Sequence, residues 1–569
     1  MRGNLVLRQM VLPVLLVVTT PTRAGVESTV HNLSVSGPGD VTALSEDRIC
    51  VFCHAPHRST TRAPLWNRND SRASYLLYDT STLDALPGQP TGESRVCLSC
   101  HDGTVALGEI VSEPGGIEFP PAHTNLDPST GSLETDLADD HPVSFTYDSA
   151  LVAADAELKD PASITPPVHL DDASRMQCTS CHDPHDNSHG NFLLKSDWRG
   201  GLCLSCHEKT RWNSCWHKKS SATWNGVQPD PWPDSDDLTV GDNACRNCHD
   251  LHTAAQPSWL VKGVEEEVCL VCHNGNVARD DVDAEFAQTH RHPLDLSQGI
   301  HEAAEDPLTA PRHVECTDCH NPHQVNHKAN TSPPDATGNL YGVDGIDMHG
   351  FSVAEVQYEY EVCFKCHGDS TSANQEIPRT AGEINTRLEF ASNAISFHPV
   401  TQPGKNPDVP SLKGPVDETS LIYCRTCHSS DLTDSQSWNG GGPHGSQYRF
   451  LLRRNYETAD YTQENETAYA LCYFCHNRAV IIGKFPSGFL EHKKHVVGED
   501  SPCSACHDPH GISAAVGTTK GNSHLISFDT TIVSPNKNGE LRYEDRGYRA
   551  GSCWLECHGE DHDDEAYSN

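Results

Sequence analysis

Hydrophobic positions along this chain come in short runs without a sustained period. Neither the 3.6-residue spacing of an amphipathic helix nor the two-residue alternation of a strand persists for long. Pro, Gly, Asp, Ser and Thr fill much of the sequence between the runs, and these residues favour turns over regular structure. The pattern predicts a mainly irregular chain with short α-helices and little β-sheet. Only 36% of the 569 residues are hydrophobic, so an ordinary apolar core is hard to build.

One apolar run differs. Val11 to Val18, interrupted by Pro13, follows Arg2 and Arg8 and precedes Thr22-Arg23-Ala24. A basic start, a short apolar centre and small residues at a cleavage position predict a secretory signal peptide over residues 1–24. The run is too short to anchor the chain across a bilayer, and no later run is apolar enough to be a transmembrane segment. The mature chain is expected to be exported, either periplasmic or extracellular at the cell surface.

Many cysteines in an exported protein usually mean disulfides, but the spacing here points to other chemistry. Eleven C-x-x-C-H motifs pair Cys50 with Cys53, Cys97 with Cys100, Cys178 with Cys181, Cys203 with Cys206, Cys245 with Cys248, Cys269 with Cys272, Cys316 with Cys319, Cys363 with Cys366, Cys424 with Cys427, Cys472 with Cys475, and Cys503 with Cys506. A twelfth, Cys553 with Cys557, has one extra residue between its cysteines. Together they use 24 of the 25 cysteines and leave Cys215 as a free thiol, an intermolecular disulfide or an inert buried group. C-x-x-C-H is the attachment motif of c-type haem. Its cysteines form thioethers to the haem vinyl groups, and the histidine that follows meets the iron as proximal ligand. The proximal candidates are His54, His101, His182, His207, His249, His273, His320, His367, His428, His476, His507 and His558. Zinc sites also use C-x-x-C, but they need a second ligand pair rather than a histidine directly after the second cysteine.

Twelve haems would leave about 47 residues each, too few for an independent core around every one. The porphyrins must then form much of the core, and the chain without them should be largely unfolded. The motifs come in pairs whose first cysteines lie 47, 25, 24, 47, 48 and 50 residues apart. This quasi-repeat predicts six paired-haem modules: 25–135, 136–210, 211–285, 286–385, 386–480 and 481–569.

Spare histidines follow the same repeat. Five motifs carry another histidine three residues on: His57, His185, His252, His323 and His510. Such a ring lies on the proximal side of its own porphyrin, and so short a tether cannot round the macrocycle. It is expected to serve a neighbouring haem; for His510, this is the other haem of its pair or the last haem of the preceding one. In the fifth pair Asp431 takes this position, and His444 is the nearest substitute. Upstream of each pair stand His31, His141, His217, His292, His398 and His495. These twelve residues are the distal-ligand candidates. His492 and His562 are among the remaining rivals. Methionine cannot be the general sixth ligand, because only Met176 and Met348 remain after signal cleavage. Methionine ligation raises haem potential, so mostly low potentials are expected.

The segments "HNLSVSGPG", "CVFCHAPH", "CLSCHDGT", "CTSCHDPH", "CTDCHNPH" and "CSACHDPHG" resemble bacterial multihaem c-type cytochromes of the doubled C-x-x-C-H family. The resemblance covers nearly all of the mature chain. It implies an elongated protein with covalent haems in a close-packed row, usually with two histidines on each iron. It also implies an electron carrier or conduit whose partners are other redox proteins or extracellular electron acceptors. A multihaem reductase of a small oxyanion or metal ion is the rival class. That chemistry needs an open metal position, which some multihaem reductases mark with Lys in place of the motif histidine; none of the twelve motifs does so. No catalytic residue is assigned. A homo-oligomer or conductive filament is a third reading, and it depends on surface complementarity beyond the sequence. The net charge of −38 disfavours nucleic acid and anionic membrane surfaces as partners. Its plainest consequence is solubility.

Overall fold

The computed structural model describes residues 25–57, 59, 65–233, 235–294, 314–326, 331–369, 376–432, 438, 440–483 and 489–568. The segment read as a signal peptide lies outside the described residues. Among those described, the longest helices are Gly92–His101 and Glu359–His367, and both end on a motif histidine. Most other motifs form a single tight turn, as at Cys178–Ser180, Cys203–Ser205 and Cys503–Ala505. The cause is local. The histidine N–H closes one turn onto the first cysteine's carbonyl, at 3.0 Å in both His182–Cys178 and His507–Cys503. In each of these two motifs a proline two residues later bars continuation. No helix of the described residues is long and apolar enough to cross a membrane.

Most strands are two residues long: β1 (Leu76–Leu77), β2 (Asp136–Leu137), β3 (His290–Arg291), β4 (Gly345–Ile346), β5 (Ser352–Val353), β6 (Ser396–Phe397), β7 (Gly445–Ser446) and β8 (Gly511–Ile512). They pair as β1 with β2, β3 with β7, β4 with β5, and β6 with β8. The C-terminus is different. There β9 (Arg542–Gly547), β10 (Ala550–Cys557) and β11 (Glu560–Ser568) form an antiparallel sheet ordered β11-β10-β9. The twelfth motif lies on β10. Cysteines three apart share a face on a helical turn, whereas cysteines four apart share a face on a strand. The extra residue between Cys553 and Cys557 is thus compatible with a strand, where the other eleven spacings are not.

The chain forms two compact units: residues to 78, 84–197 and 201–206, and residues 79–83, 198–200 and 207–569. Inside each unit the apolar clusters are small. The first unit has Ala43, Val51, Phe52 and Ile110, and separately Tyr75, Leu98 and Leu137. Its Arg68 is fully buried and donates to the carbonyls of Ser99, Ala106 and Leu107 at 2.7–3.1 Å. The second unit has one cluster around Tyr360, Phe364, Phe390 and Phe397, and another around Phe528, Tyr543 and Leu555. Burying such a side chain contributes about 1.5–3 kcal/mol, while ordering one residue's backbone costs about 1–2 kcal/mol. Clusters this small can order only their own surroundings.

A continuous cavity of about 3410 Å³ occupies the second unit, and every motif from Cys245 to Cys557 lends it at least one cysteine. Drug-sized pockets reach only about 1,000 Å³, so this space suits several large groups. Its walls include the apolar clusters themselves, among them Phe364, Phe390, Phe397, Phe528 and Tyr543. The protein made in the cytoplasm without residues 1–24, where thioethers do not form, should therefore be largely unfolded. Far-UV circular dichroism and limited proteolysis check this; a cooperative, protease-resistant fold without haem would contradict it.

Candidate haem-binding site

Among the described residues, histidine rings meet in ten pairs, and their centroid separations fall between 5.8 and 6.4 Å. In the first unit His101 faces His31 and His54 faces His185, each at 6.1 Å. In the second, His249 faces His323, His273 faces His217, His320 faces His444 and His367 faces His292. His428 faces His510, His476 faces His398 and His507 faces His492. The tenth pair, His495 with His562, contains no motif histidine. Direct stacking brings rings closer, as His31 and Phe192 show at 4.1 Å. A metal–imidazole bond of about 2 Å on each side, plus about 1 Å from each nitrogen to its ring centre, gives roughly 6 Å. The residues present therefore fit a metal between each pair of rings.

Nδ1 of several of these rings is turned to the backbone. Nδ1–H donates to a backbone carbonyl in His101 (Gly131, 2.7 Å), His249 (Trp259, 2.8 Å), His320 (Asn339, 3.0 Å), His428 (Phe450, 2.9 Å) and His507 (His524, 3.0 Å). His182 does the same to Asn191 at 2.9 Å. Such a bond fixes the tautomer and aims Nε2, the usual outer-sphere support of a ligating histidine. Burial pulls His273, His428, His476 and His507 down to about 4 and His492 to about 3. These rings are neutral at pH 7, the form that binds metal.

A turn unread in the sequence supplies four of those carbonyls. Two successive residues take left-handed backbone at Asn191-Phe192, Trp259-Leu260, Phe450-Leu451 and His524-Leu525, with φ from 46° to 63°. The first of each couple accepts from the motif histidine. Two residues beyond each couple, a backbone N–H returns to the motif's second cysteine: Leu194 to Cys181, Lys262 to Cys248, Arg453 to Cys427 and Ser527 to Cys506, at 2.8–3.0 Å. The signal in the sequence is "GNFLL", "SWLVK", "RFLLR" and "SHLIS".

A second device is the dipeptide Pro-His. The Pro184 carbonyl accepts from Nδ1 of His31 (3.2 Å), while the next residue, His185, faces His54. Pro322 does this for His217 (2.8 Å) beside His323, and Pro443 for His292 (2.7 Å) beside His444. Pro509 does it for His398 beside His510. One dipeptide thus supports two sites. His444 occupies this position even though its segment lies 16 residues after His428 rather than three.

His510 faces His428, the first motif histidine of the preceding pair, rather than either haem expected from the sequence. The sheet sets this. Pairing of β6 with β8 lays Phe397 against Gly511, and β3 with β7 likewise lays Arg291 against Gly445. A glycine follows the histidine in both because a Cβ would strike backbone: the Glu389 and Ser396 carbonyls at Gly511, and the Glu285 carbonyl at Gly445. The same glutamates hold the histidines. Glu285 Oε2 lies 2.7 Å from His444 Nδ1, and Glu389 Oε2 lies 3.3 Å from His510 Nδ1. Burial lifts Glu389 to about 7. Burial works to lower His510, but the Glu389 carboxylate outweighs it and the net shift is upward.

His57 and His252 are exposed, and half-buried His141 bonds its Nδ1 to the Pro142 carbonyl. His495 faces His562, so His492 is the ring opposite His507. His558 contacts Asp460. Cys215 is fully buried, with Sγ 3.3 Å from the Pro322 carbonyl.

The cysteines also meet in order. Cys97 touches Cys178, Cys269 touches Cys316, Cys363 touches Cys424 and Cys472 touches Cys503; these contacts, with burial, raise the thiols of Cys97, Cys269, Cys363 and Cys472 well above their ordinary range. Each contact joins the second motif of one pair to the first of the next. Burial pushes Cys53, Cys181, Cys248, Cys319, Cys427 and Cys506 up to about 12.

Residues 347–518 match the family described as "Outer membrane cytochrome MtrC/MtrF-like, domains II/IV". Residues 171–211 and 238–278 match the doubled CXXCH motif family. Over 159 residues the chain is 28% identical to "Multiheme cytochrome MtrA" of Shewanella baltica (strain OS185), a match covering 26% of this chain and 36% of that protein. The chain therefore spans about a third of that relative's length.

Replacing His510 with Ala in the haem-loaded protein should leave the Cys503 and Cys506 thioethers intact and expose the iron held by His428. One carbon monoxide should then bind per chain, with a new high-spin signal. An unchanged low-spin spectrum that refuses carbon monoxide would contradict the assignment.

Proposed function

The chain belongs to the multihaem c-type cytochromes with doubled C-x-x-C-H motifs, and we propose that it is an exported dodecahaem carrier of single electrons in anaerobic or extracellular respiration. The observation that carries this reading is the set of paired histidine rings, nine of which include a motif histidine. Haem supplies a one-electron ferric–ferrous couple, and neighbouring haems in contact exchange electrons without bond making. The chain's own part is to anchor, align and tune.

The cysteines anchor, and their contacts from one pair to the next support a series of attachment sites within each compact unit. The ring pairs support a two-part rule for the distal ligands. The upstream histidine of a pair caps that pair's second haem: His31 with His101, His217 with His273, His292 with His367 and His398 with His476. The histidine of the following Pro-His caps the pair's first haem: His185 with His54, His323 with His249, His444 with His320 and His510 with His428. At the last pair no Pro-His follows, and His492 takes that place opposite His507. His57, His141 and His252 complete the proposed set. The rule also supports paired modules, because the first, third, fourth and fifth pairs are each finished by the next.

Imidazole on both faces leaves no open position for substrate, which favours a carrier over a reductase. Carboxylates behind His444 and His510 make those rings stronger donors, and a stronger donor favours ferric iron. The match to a family described as outer membrane cytochromes supports a place in electron delivery to the cell exterior, with redox proteins or extracellular acceptors as partners. The periplasm or the cell surface is the proposed location.

The mature protein, produced where haem is attached, should carry twelve haems by intact mass on a chain beginning near Gly25. Its oxidised spectrum should be low-spin throughout, and the reduced protein should not bind carbon monoxide. Zinc in place of haem would end this reading; substantial high-spin iron in the native protein would turn it toward a reductase.

A further inference from the structure

We propose that His562, not the motif histidine His558, ligates the iron of the twelfth haem, with His495 on the opposite side. The inference rests on the haem reading above and concerns one site within it.

The twelfth motif departs from the others in backbone as well as spacing. Cys553, Leu555 and Cys557 alternate along β10 and so face one side of the sheet. His558 is the next residue, where a strand would turn the side chain to the other side. It is also the first residue of a two-residue hairpin turn, His558-Gly559, with φ of 52° and 82°. Such a turn takes left-handed backbone at both central positions. Each of the other eleven motifs begins on a helical turn, and that turn is absent here.

The side chains agree with the backbone. His558 Nε2 lies 2.8 Å from Asp460 Oδ1, and its ring stacks on Tyr461 at 4.5 Å. In His101, His182, His249, His320, His428 and His507 it is Nδ1 that meets a backbone carbonyl, so His558 is held the other way round. It does not line the cavity, whereas Cys553, Cys557, His495 and His562 all do.

His562 has the placement that His558 lacks. In the register of β10 and β11 it stands directly opposite Leu555. Opposed residues of an antiparallel pair share a face, so His562 lies on the side of both cysteines. Its ring centroid is 6.3 Å from that of His495, within the range of the nine pairs that include a motif histidine. His495 Nδ1 donates to the Glu491 carbonyl at 2.9 Å and leaves Nε2 for the metal. His495 is the upstream histidine of the sixth pair, and it faces the second site of that pair as His31, His217, His292 and His398 do in theirs.

The test uses the full haem-loaded protein and three single variants. His558→Asn suits a left-handed turn position and can still bond to Asp460. It should keep twelve haems, a low-spin spectrum and no carbon monoxide binding. His562→Ala should keep twelve haems by mass but bind one carbon monoxide per chain, and added imidazole should reverse this. His562→Met should keep twelve haems and raise the potential of one. The proposal is overturned if His562→Ala stays low-spin and refuses carbon monoxide, if His558→Asn gains the carbon monoxide site, or if His562→Met loses the haem or leaves every potential unchanged. Peptide mapping separates the two readings. A wild-type protein with haem on every motif peptide except Cys553–Cys557 overturns this inference alone, while absence of haem from all of them overturns the proposed function.

Discussion

An iron ligated by two imidazoles must receive them from opposite faces of a flat macrocycle, and no short segment reaches both. A motif supplies two thioethers and one ring, all on one side. The second ring has to come from elsewhere in the chain, and this requirement organises the fold. The upstream histidines reach forward and the Pro-His dipeptides reach back. Small sheets such as β3·β7 and β6·β8 hold the two together. Where Pro184, Pro322, Pro443 and Pro509 each support one ring while the adjacent histidine serves another site, a single short segment completes two positions at once.

This arrangement explains the scarcity of regular structure. Among the described residues the chain places ten pairs of histidine rings, and backbone carbonyls, turns and carboxylates support many of them. Left-handed couples such as Trp259-Leu260 cost about 1–3 kcal/mol per residue in strain. They persist because each aims a carbonyl at a motif histidine. The carboxylates of Glu285 and Glu389 are nearly fully buried, and they lie behind two rings that both come from Pro-His-Gly segments. At these sites a carboxylate, rather than a backbone carbonyl, lies behind the ring.

Much of this was legible in the sequence, and the limits have physical reasons. The attachment cysteines are local signals, because thioether and proximal ligation need only five neighbouring residues. The scarcity of long elements followed from aperiodic hydrophobicity. The C-terminal sheet did not, since its residues were read as another helical motif; the four-residue spacing of Cys553 and Cys557 was the available clue. The destination of His510 depends on which strand lies beside β8, a long-range fact with no local signature. The Pro-His dipeptide would have been a better guide than a fixed three-residue offset, because it also finds His444. His562 was visible as a spare histidine, but its value emerges only from the register that sets it opposite Leu555.

The central claim is that the paired rings are the two axial ligands of one iron. Iron-edge anomalous diffraction from crystals of the haem-loaded protein tests it most directly. The account predicts an iron peak midway between the rings of each pair, from His31 and His101 through to His495 and His562. Iron peaks lying away from these pairs, or pairs that part when haem is bound, would contradict it.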